Sequence, residues 1–242
     1  MFLSIIIPAY NEERRLPKTL RLINEYLRKQ PYDYEILVIS DGAKDNTAAI
    51  AESLTSEIPQ LRVIVNPENH GKGYVVRQGM LAASGDFRVF TDADNSTSIE
   101  HLEKVLPELK AGAGVVIGTR DRRDHPDAKQ AYSQPLYRRL LGEVFNLFVQ
   151  VTLGLCGIWD TQCGFKGYTK EAAEKIFPKC RINRFAFDPE TLIIAKKLGY
   201  KIKKAPVYWI NDPQSTVKFS WALKMGLEVL KIRVNMITGK YQ

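Results

Sequence analysis

Phe87-Arg88-Val89-Phe90-Thr91-Asp92-Ala93-Asp94-Asn95-Ser96 decides the reading of this chain: a short apolar run stops on two carboxylates set one residue apart. A run of that length rich in Val, Phe and Thr predicts a strand over 87–91. Outward from it the same kind of run recurs at 2–7, 35–40, 61–65 and 115–119. Between these runs lie helical spacings. Leu16, Leu20, Ile23 and Leu27 mark a helix over 12–28, and further helices are expected over 46–54, 72–83 and 99–109. Strands alternating with helices imply an α/β fold with a mostly parallel central sheet flanked by helices and joined by right-handed crossovers. Ligands of such sheets bind beyond the carboxyl ends of the strands. That rule directs attention to 8–12, 41–45, 66–73 and 92–96, which are also the polar, unusual segments.

Composition narrows the class. The 242 residues carry 35 Lys and Arg against 27 Asp and Glu, a net charge of +8, with 45% hydrophobic residues. That is an ordinary globular balance with enough apolar material for a large core. The positive charge favours an anionic partner. The basic residues are dispersed without aromatic interleaving, so no nucleic acid is expected. Three cysteines without C-x-x-C spacing exclude a disulfide framework and a thiolate zinc site, and fit a reducing cytosol. No signal leader is recognisable at 1–8, and nowhere do 18 apolar residues run together, so no spanning helix is expected. The location expected is cytoplasmic, peripheral on the inner face of the membrane.

Asp92 and Asp94 suit a hard divalent cation, Mg²⁺ or Mn²⁺, with Asn95 or Ser96 as a further oxygen donor. The plain alternative is a solvated turn in which Ser96 or Ser98 caps the next helix. Pro8-Ala9-Tyr10-Asn11-Glu12 is not the glycine-rich turn of a dinucleotide fold, and no Walker A sequence occurs. His70-Gly71-Lys72-Gly73 is expected to bring Lys72 and backbone N–H groups to a diphosphate. Together these segments describe a nucleotide-diphosphate site built on a metal. His101 and His125 read as surface residues.

The set Pro8 to Glu12, Asp41-Gly42-Ala43-Lys44-Asp45, Asn69 to Gly73 and Asp92-Ala93-Asp94 resembles the family 2 glycosyltransferases of the GT-A fold. Asp160-Thr161-Gln162-Cys163-Gly164-Phe165-Lys166 and Arg184-Phe185-Ala186-Phe187-Asp188-Pro189-Glu190 resemble the dolichyl-phosphate glucosyltransferase branch of that family. The resemblance implies an inverting transfer of a hexose from a nucleotide-sugar to dolichyl or polyprenyl phosphate. UDP-glucose is the favoured donor and GDP-mannose the second. It implies that Pro8, Ala9, Tyr10, Glu12 and Asp41 hold the nucleoside, that Lys72 meets the diphosphate, and that Asp92 and Asp94 bind the metal. It implies that Arg120, Arg138 and Lys218 hold the acceptor phosphate. Asp188 falls where relatives place a general base; it reads equally as a helix N-cap followed by Pro189. Ser96 stands where some relatives carry a Gln metal ligand, and Ala43 where an Asp-Gly-Ser turn is usual. A family 2 enzyme with a soluble acceptor, and a non-catalytic nucleotide-sugar-binding subunit, are the alternative readings.

Beyond about residue 121 the alternation fails. The chain is expected to be one domain over 1–242, with 1–121 as the nucleotide-sugar-binding half and 122–242 as the acceptor-binding and membrane-surface half. The polar stretch 122–134 reads as a mobile loop, 136–155 as helix, 157–168 as strand, 188–198 as helix, 200–209 as strand and 216–237 as a long helix. The apolar run 145–159, with Arg138 and Arg139 ahead of it, fits an interfacial helix or a core helix. In the last helix Lys224, Glu228, Lys231 and Asn235 form a polar stripe. Phe219, Trp221, Leu223, Leu227, Leu230, Ile232, Val234 and Ile237 cover the rest. So wide an apolar arc fits burial on several sides, another subunit, or lipid; Lys218, Lys231, Arg233 and Lys240 beside it favour lipid.

Overall fold

The computed structural model describes residues 1–131, 136–210 and 219–241, with the side chains of 136–140 and 219–222 outside that description. Its centre is a seven-stranded sheet whose first half follows from the sequence. β1 (Phe2–Ala9) lies between β2 (Asp33–Asp41) and β4 (Phe87–Thr91), with β3 (Leu61–Asn66) outside β2, all parallel. Leu3, Ile5, Ile6 and Ile7 have no exposed surface, which is what a strand covered on both faces requires. One face is covered by α1 (Leu16–Leu27), α2 (Thr47–Ser53) and α4 (Leu102–Lys110). The other is covered by α3 (Lys72–Ala82) and helices from the second half.

The far edge of the sheet departs from simple alternation. β5 (Val115–Thr119) does not pair with β4. β7 (Phe165–Thr169) is inserted between them, antiparallel to both, and β8 (Ile202–Pro206) pairs parallel outside β5. The strand expected over 157–168 is therefore a strand only over its last part; 157–164 is a chain of turns that brings Asp160 and Gly164 to the site. The strand expected over 200–209 is divided at Val207, whose N–H donates to Thr119 O of β5 while its own carbonyl accepts the N–H of Lys129. Its end, β9 (Tyr208–Trp209), pairs with β6 (Lys129–Gln130).

The polar stretch read as a mobile loop is tied down as far as residue 131. The buried Asp124 carboxylate accepts from Thr119 Oγ1, from the N–H groups of Trp159 and Asp160, and from Lys204 Nζ. A carboxylate with that many donors stays ordered even in a polar segment. α6 (Lys170–Ile176) has no counterpart in the sequence reading, although Thr169 caps it by accepting from Ala172 N–H.

α5 (Leu136–Leu153), α7 (Phe187–Lys197) and α8 (Phe219–Ile237) close the second layer. The polar stripe expected on α8 splits. Lys224 and Lys231 are exposed, whereas Asn235 is buried against Tyr241 Oη at 3.2 Å and Glu228 turns inward beside Val229 and Ile232. Among the described apolar residues, Leu223, Leu227, Leu230, Val234 and Ile237 are the ones left outside; the side chains of Phe219 and Trp221 lie outside the described residues. Among the described residues no helix is long and apolar enough to cross a membrane.

Candidate active site

The carboxyl ends of β1, β2 and β4 converge on a cavity of about 410 Å³. Pro8, Ala9, Tyr10, Glu12, Asp41, Lys72, Asp92 and Asp94, eight residues singled out from the sequence, all line it, joined by Asn69, Arg184 and Phe185. Two asparagines shape the turns. Asn11 (φ 56°) and Asn95 (φ 55°) both adopt the left-handed conformation that Asn tolerates better than most side chains.

Asp92 and Asp94 stand one residue apart just past β4. Lys72 Nζ lies 2.5 Å from Asp92 Oδ1, and Asp94 Oδ1 accepts the N–H of Ser96 at 2.9 Å. Burial pulls the Lys72 pKa down, but Asp92 and Asp188 outweigh it and hold the ammonium above its ordinary value. The paired carboxylates concentrate negative charge that draws the Lys72 ammonium to Asp92, and hard oxygen donors of this kind suit a divalent ion. Among the described residues no group of three His, Cys, Asp or Glu side chains can hold a metal by itself. Two carboxylates fit an ion that takes its other oxygens from a diphosphate and water, as Mg²⁺ commonly does.

Gly164 is the residue that makes room for Asp92. A Cβ on it would sit 1.9 Å from Asp92 Oδ2 and 2.5 Å from its carboxyl carbon. Gly164→Ala is expected to displace the carboxylate and lower kcat by about a hundredfold, the cost of misplacing a reacting group by about an ångström. Steady-state kinetics beside a thermal melt check this; a melt near wild type with kcat unchanged contradicts it.

The turn before α3 is built differently from the expectation. Four of its N–H groups are taken up by the protein. Those of His70 and Gly71 donate to the two oxygens of the buried Asp41 carboxylate, at 2.7 and 2.9 Å, and Asn69 Nδ2 joins at 2.9 Å. Gly73 N–H donates to Arg184 O and Tyr74 N–H to Asn183 O. The Lys72 ammonium, not a nest of amides, is what this turn offers an anion. Asp41 organises the turn, its Oδ1 accepting one hydrogen bond and its Oδ2 two. Glu12 is gripped by Arg15 through two hydrogen bonds of 2.7 Å; burial raises its pKa, and Arg15 opposes that shift.

Outside the cavity lining lie two ion pairs that sequence reasoning did not pair, one buried on both sides and one partly buried. Lys166, with no exposed surface, bonds the Asp188 carboxylate and donates to Cys163 O at 2.6 Å. Burial raises the Asp188 pKa, while Lys166 and Lys72 pull against it. The N-cap reading of Asp188 is corrected: α7 starts at Phe187 with Ala186 at its cap, and the Asp188 carboxylate goes to Lys166. A lysine inside the strand Phe165–Thr169 was the available signal, since a buried ammonium needs an anion. Arg120 forms the second pair. Its Nε and Nη2 each meet Asp160 at 2.8 Å, and the Trp209 ring lies 5.1 Å from the guanidinium carbon. Burial raises and Arg120 lowers the Asp160 pKa, and the net is downward. Arg120 is therefore anchored through Nε and Nη2. The side chain of Arg138 and the whole of Lys218 lie outside the described residues. His101 is also corrected: it is half-buried, and Nε2 accepts the N–H of Tyr208 at 2.8 Å. His125 is only partly exposed.

Parallel strands of a mixed sheet whose carboxyl ends carry Asp-x-Asp, with a lysine at the start of α3 and no glycine-rich cradle, give a site of the kind that suits a nucleotide diphosphate. The chain matches the family described as glycosyl transferase family 2 over residues 4–177, and it belongs to that family; it is a glycosyltransferase. Among curated proteins it is similar to the dolichyl-phosphate beta-glucosyltransferase of Dictyostelium discoideum, 36% identical over 253 residues covering 99% of this chain and 76% of that one. It is similar also to the human dolichyl-phosphate beta-glucosyltransferase, 34% identical over 251 residues covering 99% and 77%. Two solved structures share the fold. Mannosyl-3-phosphoglycerate synthase from Rubrobacter xylanophilus has a TM-score of 0.71 at 19% identity, covering 99% of this chain and 75% of that one. Glucosyl-3-phosphoglycerate synthase from Mycobacterium tuberculosis in complex with Mn²⁺, uridine-diphosphate and phosphoglyceric acid has a TM-score of 0.69 at 17% identity, covering 99% and 78%.

Proposed function

We propose that this enzyme transfers glucose from UDP-glucose to dolichyl or polyprenyl phosphate with inversion, at the cytoplasmic face of a membrane. The observation that carries the proposal is the meeting of Asp92, Asp94 and Lys72 in one cavity at the strand ends. The whole-length similarity to dolichyl-phosphate glucosyltransferases supports the sugar and the acceptor.

In this reading Pro8, Ala9, Tyr10 and Asp41 receive the nucleoside. Asp92 and Asp94 would hold Mg²⁺ or Mn²⁺, which would supply neutralising charge for the departing diphosphate. Lys72 adds a second positive charge at the same place, a gain concentrated in the transition state. An oxygen of the acceptor phosphate forms the new bond to the sugar C1 as the bond to UDP breaks. That oxygen is already anionic near neutral pH, so no base is required. Asp188, held by Lys166, orients rather than deprotonates. Arg120, together with Arg138 and Lys218, holds the acceptor phosphate.

The acceptor's lipid implies a surface. Leu141, Val144, Leu147 and Val151 of α5, and Leu223, Leu227, Leu230, Val234 and Ile237 of α8, are between 43% and 75% exposed on two helices that pack together. So large an apolar face marks an interaction site. The exposed Lys231, Arg233 and Lys240 beside it suit anionic head groups.

The test is a panel of radiolabelled nucleotide-sugars offered with polyprenyl phosphate in anionic vesicles, followed by organic extraction. Label from UDP-glucose is expected in the lipid phase. Label from GDP-mannose alone would overturn the donor assignment, and label transferred only to water-soluble phosphates would overturn the acceptor.

A further inference from the structure

Helix α8 has an inward side as well as an exposed one. Beside the buried Val229 and Ile232, the Glu228 carboxylate accepts the N–H of Ala186 at 3.0 Å. Ala186 is the cap residue of α7, and its methyl side chain has no oxygen with which to cap its own helix. An acidic group at the amino end of a helix also faces the positive end of its dipole. Glu228 thus supplies from a neighbouring helix the acceptor that a capping-box acid supplies from within.

The segment held this way, 181–187, walls the cavity through Arg184 and Phe185. Glu190 grips its beginning, accepting the N–H groups of Arg181 and Ile182, both at 2.9 Å. Its middle is locked onto the start of α3. Asn183 O and Arg184 O accept the N–H groups of Tyr74 and Gly73 at 3.1 and 3.2 Å. The approach is so close that a Cβ on Gly73 would lie 2.6 Å from Ile182 O. A Cβ on Gly71 would lie 2.5 Å from Asn183 O. The start of α3 is where Lys72 projects. A continuous chain of contacts therefore runs from α8, through Ala186 and the rim, to the ammonium beside Asp92.

We propose that Glu228 is a positioning residue for donor binding: it fixes the 181–187 rim, and the rim fixes the turn that presents Lys72 to the diphosphate. The inference rests on the nucleotide-sugar reading of the cavity. It makes the donor site depend on a helix whose outer face is the apolar surface described above.

The test compares Glu228→Ala with Glu228→Gln, which keeps an oxygen acceptor. UDP affinity is titrated with Mn²⁺ present, and donor and acceptor KM are measured with UDP-glucose and polyprenyl phosphate. E228A is expected to weaken UDP binding and raise the donor KM by about tenfold, as loss of one charge-assisted hydrogen bond does. The acceptor KM should not move, and E228Q should recover most of the loss. An E228A protein that melts lower but binds UDP like wild type would show a merely structural role and overturn the proposal. Should E228A not fold, Gly73→Ala perturbs the rim from its other side and must give the same donor-selective defect; wild-type UDP affinity in G73A overturns the proposal equally. A wild-type protein that binds no UDP at all would instead sink the nucleotide-sugar reading on which this one stands.

Discussion

Asp94→Ala is expected to lower kcat by about a thousandfold, in line with loss of a carboxylate that would hold the cation neutralising the leaving diphosphate. The wild-type side chain does two things. One oxygen accepts the Ser96 N–H and so shapes the turn, and its charge faces the cavity beside Asp92 and Glu12. Asp94→Asn separates them, because the amide oxygen retains the Ser96 hydrogen bond while the charge is gone. The asparagine variant should therefore melt like wild type and be nearly as inactive as the alanine variant. Steady-state kinetics at saturating Mn²⁺ beside thermal melts checks both. Substantial turnover by the Asn variant would remove charge from the account and leave Asp94 a turn residue.

Lys166→Met is expected to cost about 3–5 kcal/mol of stability and most of the activity, since breaking one side of a buried pair leaves the other charge uncompensated. Lys166 is fully buried and its ammonium lies 5.2 Å from the centre of the Phe90 ring, so no water replaces it cheaply. Without it the Asp188 carboxylate, whose pKa burial already raises, is pushed higher still. The sign for pH follows. A carboxyl whose native pKa lies above its unfolded one favours the native state below the unfolded pKa and loses that advantage as pH rises through the native pKa. The variant's deficit should accordingly be full in alkaline buffer and shrink on acidification. The double variant Lys166→Met/Asp188→Leu should regain stability, an apolar pair being no worse than an ionic one in the core, yet stay inactive. Urea unfolding across pH, with kcat alongside, measures all three proteins. A double variant that regained activity would show that the pair serves folding only.

The sequence was most transparent where the physics is local. Ile5, Ile6 and Ile7 in unbroken succession before Pro8 point to burial on both faces, and with the strand–helix alternation that follows they make β1 a central parallel strand. Once β1, β2 and β4 are parallel, their carboxyl ends must share one edge, and Pro8 to Glu12, Asp41 and Asp92 to Asp94 meet there. Contacts that cross the chain were not transparent. β7 is short and carries Lys166, and it inserts between β4 and β5, pairing with residues such as Phe90 and Ile117 far from it in sequence. No local pattern encodes that choice. The same holds for the amides of His70, Gly71, Gly73 and Tyr74, whose partners are Asp41, Arg184 and Asn183. Read locally, the turn offers N–H groups to a phosphate; folded, it has given them to the protein. Gly164 looked like any turn glycine until Asp92 was seen against it. The α8 stripe misled for a related reason: Glu228 and Asn235 are polar yet face inward, each satisfied by a partner that periodicity cannot see.

The most direct measurement is calorimetric titration of UDP into the wild-type protein and Asp94→Asn, each with Mn²⁺ and with EDTA. The two-carboxylate site predicts that Mn²⁺ tightens UDP binding by tenfold or more in the wild type, about 1.4 kcal/mol, and by nothing measurable in the variant. Equal UDP affinity with and without the ion in the wild-type protein would contradict the reading that Asp92 and Asp94 would hold a cation for the diphosphate.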